Sequence, residues 1–246
     1  EFASGALVFP GGSVDPNDSD PRLQQRCDRA DTVDAAMFPV LIAAAREAFE
    51  ECGVLFARTE PGGPLLTSDR AAALGETYRQ AVENGEIGFA DMIEKEGLVL
   101  ALDRLVHFAH WVTPPHMPKR FDTHFFLAEA PLDQILQHDG RESVDSIWIT
   151  PRQVCEDADA DRRTVLFPTR LNVEKVGQSP TVAEALASAR QAKVISVRPQ
   201  SEAAGEGRLL RIPKDAGYGS GEFLVLGSSG KGARILNADG SARPLP

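Results

Sequence analysis

The chain has 246 residues, 42% of them hydrophobic, with 26 basic against 36 acidic side chains and a net charge of −10. It is long enough to bury a full core in one large domain, and its acidity excludes broad binding to nucleic acid, which rests on Lys and Arg neutralising phosphates. Cys27, Cys52 and Cys155 are widely spaced and make neither a disulfide framework nor a zinc knuckle; with no apolar run of membrane-spanning length and no signal peptide, a reducing, cytoplasmic setting is expected.

Ala6-Leu7-Val8-Phe9 is a short apolar run that predicts a buried strand, ended by Pro10-Gly11-Gly12. The chain has no initiator Met and enters this strand at once, so further sequence is expected upstream. The glycine pair allows close backbone approach. A polar loop follows at 13–18, then a stretch at 19–34 so charged that it reads as an exposed excursion.

Residues 40–55, VLIAAAREAFEECGVL, predict a helix. At roughly 100° per residue, Glu47, Glu50 and Glu51 share an arc about 100° wide. Leu41, Ile42, Ala45, Ala48, Phe49 and Cys52 take the other side, so Cys52 reads as packing, and Gly53 stands where a left-handed cap would end the helix. Like charges at this spacing repel by a few tenths of a kcal/mol per pair. An acidic triplet alone is most often a solvated face; the alternative is a divalent cation, since hard ions take carboxylate oxygens.

After a short apolar run at 54–57 and a loop at 60–64, helical spacing runs from Ser68 or Asp69 to about Val82, and again over 89–96. Together they suggest a helical insertion at 68–97 without a chemical motif. Strands are expected at 105–112 and 121–127, a loop at 131–146, a short strand at 147–149, a helix opened by Thr150-Pro151, a helix at 181–192 and a strand at 193–197. From residue 199 to the end, glycine-rich turns between short apolar runs suggest hairpins or a loosely ordered extension. His107 and His110 read as satisfied core histidines, and Trp111, Phe121 and Phe125 as core rather than a stacking platform.

Taken together, Gly12 and the run Arg46-Glu47-Ala48-Phe49-Glu50-Glu51-Cys52-Gly53-Val54 resemble the Nudix box, G-x5-E-x7-R-E-U-x-E-E-x-G-U, with U aliphatic. The second half fits at every specified position. The first half departs: Asp18 stands at the first Glu, and 27 residues, not seven, separate it from Arg46. The Phe9-Pro10-Gly11-Gly12 entry, the long spacer, Trp111-Val112-Thr113-Pro114 and Arg120-Phe121-Asp122-Thr123 are similar to one subgroup, the peroxisomal coenzyme A and acyl-coenzyme A diphosphatases and their bacterial relatives.

The resemblance implies an α/β fold, the Nudix α/β/α sandwich with a mixed sheet. It places a Nudix domain at 1–198, with an insertion at 19–39 inside the box and the helical insertion at 68–97, followed by the extension at 199–246. It implies Mg²⁺- or Mn²⁺-dependent hydrolysis of a diphosphate linkage, with coenzyme A or an acyl-coenzyme A as leading substrate, giving 3′,5′-ADP and 4′-phosphopantetheine. ADP-ribose or NADH remain open as substrates, as does a binding module that no longer hydrolyses. Implied metal ligands are Glu47, Glu50, Glu51 and the backbone of Gly12, or of its neighbour Gly11. Arg46 would orient a box glutamate, although an ordinary i,i+4 pair with Glu50 stays open beside it. The general base would be Glu51 or an acid of the 131–146 loop, for which Glu142 is chosen. Arg120, Asp122 and His124 are candidate substrate contacts. The expected partner is a small diphosphate, with neither nucleic acid nor membrane, and a homodimer is left open.

Overall fold

A computed structural model describes residues 5–28, 30–131, 147–205, 207–226, 234–236 and 242–244. Helices and sheets are mixed throughout, and the chain divides into two compact units. The first comprises Glu1–Phe9, His107–Phe125 and Trp148–Pro246; the second comprises Pro10–Val106 and Phe126–Ile147. Among the described residues no helix is long and apolar enough to cross a membrane.

The second unit is built on the helix Phe38–Cys52. Pro39 starts it at a position where a missing backbone N–H costs nothing. Gly53 ends it at φ 70°, donating to the Phe49 carbonyl at 3.0 Å, while Val54 donates to Ala48 at 3.1 Å. A residue with a side chain would be strained at that angle. Leu41, Ile42, Ala45 and Phe49 enter the main core with Leu23, Leu55, Leu74, Met92, Ile93 and Leu100. Ala48 and Cys52 pack on a smaller cluster of Val54, Phe56 and Ala101. The apolar stripe therefore faces two cores and leaves the acidic arc on the remaining side.

Two expectations need correction here. The charged stretch at 19–34 is not a wholly exposed excursion. Leu23, on the helix Pro21–Gln25, is fully buried, and the buried Asp28 carboxylate pairs with the buried Arg58 guanidinium. Arg58 also forks onto Asp103 at 2.8 and 2.9 Å, so charged groups here are interior because each has a partner. The apolar run at 6–9 is a strand only over Ala6–Leu7, since its parallel partner Thr164–Val165 is equally short. Val8 and Phe9 lie outside the pairing and are exposed.

In the first unit, Val106–Val112 lies between Asp122–Leu127 and Ser196–Val197, the last pairing parallel to it. The helix Pro151–Asp159, capped by Thr150, packs through Val154 and Cys155 on Val165 and Val173. Val173 belongs to the helix Phe167–Gly177, which escaped the sequence reading. That helix has almost no amphipathic pattern to detect, because it buries residues on several sides, Arg170 and Asn172 among them. Tyr218 links Asn172 to Trp111, donating to the first at 2.7 Å and accepting from the second at 2.8 Å. Residues Gln200–Ala204, Gly207–Arg211, Glu222–Leu226, Arg234–Leu236 and Ala242–Pro244 form one antiparallel sheet in sequence order.

Candidate active site

The acidic arc of the helix Phe38–Cys52 opens onto a cleft of about 350 Å³. Gly12, Ser13, Asp15, Arg46, Glu47, Glu50, Glu51 and Glu83 are among its lining residues. The glycine turn is drawn against the helix by the helix's own carboxylates. Gly11 donates its N–H to Glu51 Oε2 at 2.9 Å. Gly12 lies so close to Glu47 that a Cβ there would meet the carboxylate carbon at 2.6 Å. We expect Gly12→Ala to lower turnover by about 10²-fold, the usual cost of an ångström-scale misplacement. The Glu47 carboxylate is a side-chain end that can swing aside, so the melting temperature should hold within about 2 °C. Measuring kcat and Tm on one preparation checks this, and a wild-type kcat would refute it.

Arg46 is the hub. Its Nε and Nη2 donate to the Asp18 carboxylate at 2.9 and 3.1 Å, its Nη1 to Glu47 at 2.8 Å and to Glu50 at 2.9 Å, and its Nη2 also to the Ser13 carbonyl at 2.9 Å. The i,i+4 pair with Glu50 thus exists together with a wider orienting role. These side chains are between 2% and 12% exposed, so solvent screens them little. Burial opposes the Arg46 charge, but Asp18, Glu50 and Glu47 outweigh it and raise the guanidinium above its ordinary value. Burial pushes the Glu50 carboxyl up to about 7, with Arg46 opposing and Glu47 adding to the rise.

Asp18, the residue that departs from the box, is 1% exposed and fully engaged. It sits on the 3-10 turn Pro16–Ser19, where it and Asp15 cap each other: Asp15 N–H donates to Asp18 Oδ2 at 2.7 Å. The fork from Arg46 completes its shell. Asp18 anchors Arg46 and is not one of the residues lining the cleft.

Two residues of the 68–97 segment serve this site, and nothing in their local sequence signalled it. Arg79, at the end of the π-helical turn Gly75–Arg79, donates to the carbonyls of Glu50 and Glu51, both at 2.6 Å. It satisfies backbone acceptors that a helix C-terminus leaves open. Glu83 lines the cleft.

Glu142 lies outside the described residues. Arg120, Asp122 and His124 belong to the first unit. Arg120 is exposed just ahead of the strand Asp122–Leu127. Asp122 and His124 meet His110 there, so His110 is a half-buried, engaged side chain rather than a core histidine. Burial holds His107 and His124 below the ordinary imidazole value, His107 at about 4.

The cleft is rich in carboxylate oxygens, the donor type that a hard divalent cation takes. Glu47, Glu50, Glu51 and Glu83 face Arg46 as the lining cation, and a hard ion would offset that excess of carboxylate oxygen.

A family model described as the NUDT19 Nudix domain matches residues 21–171, well over half the chain. The chain is 26% identical over 182 residues to nudix hydrolase 7 of Caenorhabditis elegans, covering 72% of this chain and 52% of that protein. It is 25% identical over 194 residues to acyl-coenzyme A diphosphatase NUDT19 of Xenopus laevis, covering 63% of this chain and 51% of that protein. The chain therefore spans about half the length of these curated relatives. The crystal structure of a Nudix hydrolase from Alicyclobacillus acidocaldarius superposes with a TM-score of 0.57 at 25% identity, over 76% of this chain and 82% of that one. The mixed α/β architecture is thus the Nudix fold, and with Gly12, Arg46, Glu47, Glu50 and Glu51 lining one cleft, the chain belongs to the Nudix family, matching its NUDT19 type.

Proposed function

We propose that this protein hydrolyses the diphosphate bond of coenzyme A or an acyl-coenzyme A, releasing 3′,5′-ADP and the corresponding 4′-phosphopantetheine. The observation that carries the reading is the cleft itself, in which Arg46 binds two box glutamates while a third, Glu51, holds the glycine turn. The coenzyme A assignment is supported by the name of the Xenopus laevis relative and by the subgroup segments around Trp111 and Arg120.

A diphosphate is anionic and repels an anionic nucleophile. Mg²⁺ or Mn²⁺ bound among Glu47, Glu50 and Glu51 would supply positive charge to the phosphate oxygens and lower the pKa of bound water. Arg46 fixes the rotamers of Glu47 and Glu50, so the carboxylates need little reorganisation when substrate arrives. Glu51 takes the proton of the attacking water, and its backbone is held by Arg79.

A panel of coenzyme A, a medium-chain acyl-coenzyme A, ADP-ribose and NADH, compared by kcat/KM, tests the assignment. Coenzyme A or its thioester should lead by at least about tenfold, with turnover abolished by a chelator and restored by Mg²⁺ or Mn²⁺. A lead for ADP-ribose or NADH would move the substrate within the same chemistry. Turnover that survives complete metal removal would end the proposal.

A further inference from the structure

A second cluster of ligand-bearing side chains lies in the first unit, formed by residues that share no motif. His110 comes from the strand Val106–Val112, and Asp122 and His124 from its neighbour Asp122–Leu127. His110 Nε2 and Asp122 Oδ1 lie 2.5 Å apart, and His124 Nε2 lies 3.9 Å from the same oxygen. One ligand atom from each residue falls within 4.8 Å of the others. The two imidazoles are stacked, with centroids 4.0 Å apart and planes 5° from parallel. The strand pairing therefore presents two ring nitrogens side by side towards one carboxylate.

The outer partners are in place as well. His110 Nδ1 is 2.7 Å from Ser196 Oγ, on the third strand of the same sheet. His124 Nδ1 is 3.1 Å from His107 Nε2. With Asp122 ionised, His110 donates from Nε2 to Asp122 and accepts at Nδ1 from the Ser196 hydroxyl, while His124 donates from Nδ1 to His107. His124 then turns a bare Nε2 towards Asp122, and an ion bound at His110 would take the place of its Nε2 proton, with Nδ1 donating to Ser196 in turn. A ligating histidine characteristically has its other nitrogen fixed in this way.

We propose that His110, Asp122 and His124 bind a transition-metal ion of the zinc class. Two imidazoles and one carboxylate favour Zn²⁺ and its first-row neighbours over Mg²⁺ or Ca²⁺, which take oxygen ligands. Ligand atoms around tetrahedral zinc sit about 3.4 Å apart, from bond lengths of about 2.0–2.1 Å. Reaching that spacing takes a rotation of Asp122, whose side chain is 68% exposed, and a tilt of one imidazole out of the stack, because the in-plane lone pairs of parallel rings do not converge on one ion. Three protein ligands leave a position for water or an anionic oxygen, as open zinc sites do. The proposal does not depend on the diphosphatase reading, because it concerns different residues and a different ion.

The test uses the chain with Glu47, Glu50 and Glu51 all replaced by Gln, so that the carboxylate cleft no longer competes for metal. After incubation with Zn²⁺ and desalting, elemental analysis should find one equivalent per chain. Adding His124→Asn should remove it without changing the far-ultraviolet circular dichroism, and Ser196→Ala should weaken binding by about 10-fold or more. Should the triple variant fail to fold, Co²⁺ added to the unmodified chain provides the second measurement. Its visible absorption should carry nitrogen-ligand bands that vanish in His124→Asn. Zinc retained by His124→Asn in the triple-Gln background, no zinc in that folded background, or cobalt bands unchanged by His124→Asn would each overturn the proposal.

Discussion

Glu51→Gln is expected to lower kcat for diphosphate hydrolysis by about 10³-fold while leaving the fold intact. Glu51 is only half-buried, and its side chain accepts the Gly11 N–H through a single oxygen. Glutamine keeps an oxygen that can accept that bond, and the backbone carbonyl that Arg79 holds is unchanged. What disappears is the negative charge, and with it both a cation ligand and a group able to take a proton. KM for substrate should move far less than kcat, since the loss falls on the transition state rather than on uniform binding. Steady-state kinetics with saturating Mg²⁺, paired with a thermal melt, decides the matter. A kcat within tenfold of wild type would show that the box is not the engine of the reaction.

The second large effect is on stability. Arg46→Ala should cost about 3–5 kcal/mol, because it leaves the Asp18 carboxylate buried without its cation. For a chain of this size that corresponds to a fall in Tm of roughly 6–20 °C. Glu47 and Glu50 lose their shared donor at the same time, and Glu50, already pushed up to about 7 by burial, loses the charge that opposed the rise. Activity should therefore fall at least as far as in Glu51→Gln. Arg46→Lys separates the two roles. A lysine restores a positive charge near Asp18 and should recover part of the Tm, but it lacks the planar fork that reaches Asp18, Glu47, Glu50 and the Ser13 carbonyl together. Its kcat should stay low. An Arg46→Ala chain that melts within about 2 °C of wild type would refute this account.

The second half of the box was readable because its chemistry is local. A helix repeats every 3.6 residues, so the spacing of Glu47, Glu50 and Glu51 places them on one arc whatever surrounds them. Leu41, Ile42, Ala45 and Phe49 are then obliged to face a core, and Gly53 to end the helix. The first half was not readable in the same way. Asp18 is a shorter acid than the motif requires, 28 residues earlier than Arg46. Only the folded chain reveals that its carboxylate accepts the Arg46 fork and is held on the 3-10 turn by Asp15. The same is true of Leu23 and Asp28, whose polar neighbours argued for exposure. A single leucine reaches the core from one short helical turn, and Asp28 is interior only because Arg58 waits for it.

Composition and periodicity by themselves determined an acidic protein with a carboxylate-bearing helix, because charge balance and helical phase are properties of residues close in the chain; the α/β fold followed from the resemblance of the Arg46–Val54 run to the Nudix box. Tertiary structure alone decided that Asp18 anchors Arg46, that Arg79 and Glu83 serve the cleft, and that His110, Asp122 and His124 meet over Ser196. Each of those contacts joins segments separated by many residues. Whether such segments meet depends on turn geometry, strand register and the packing of the cores between them, none of which a short window of sequence contains.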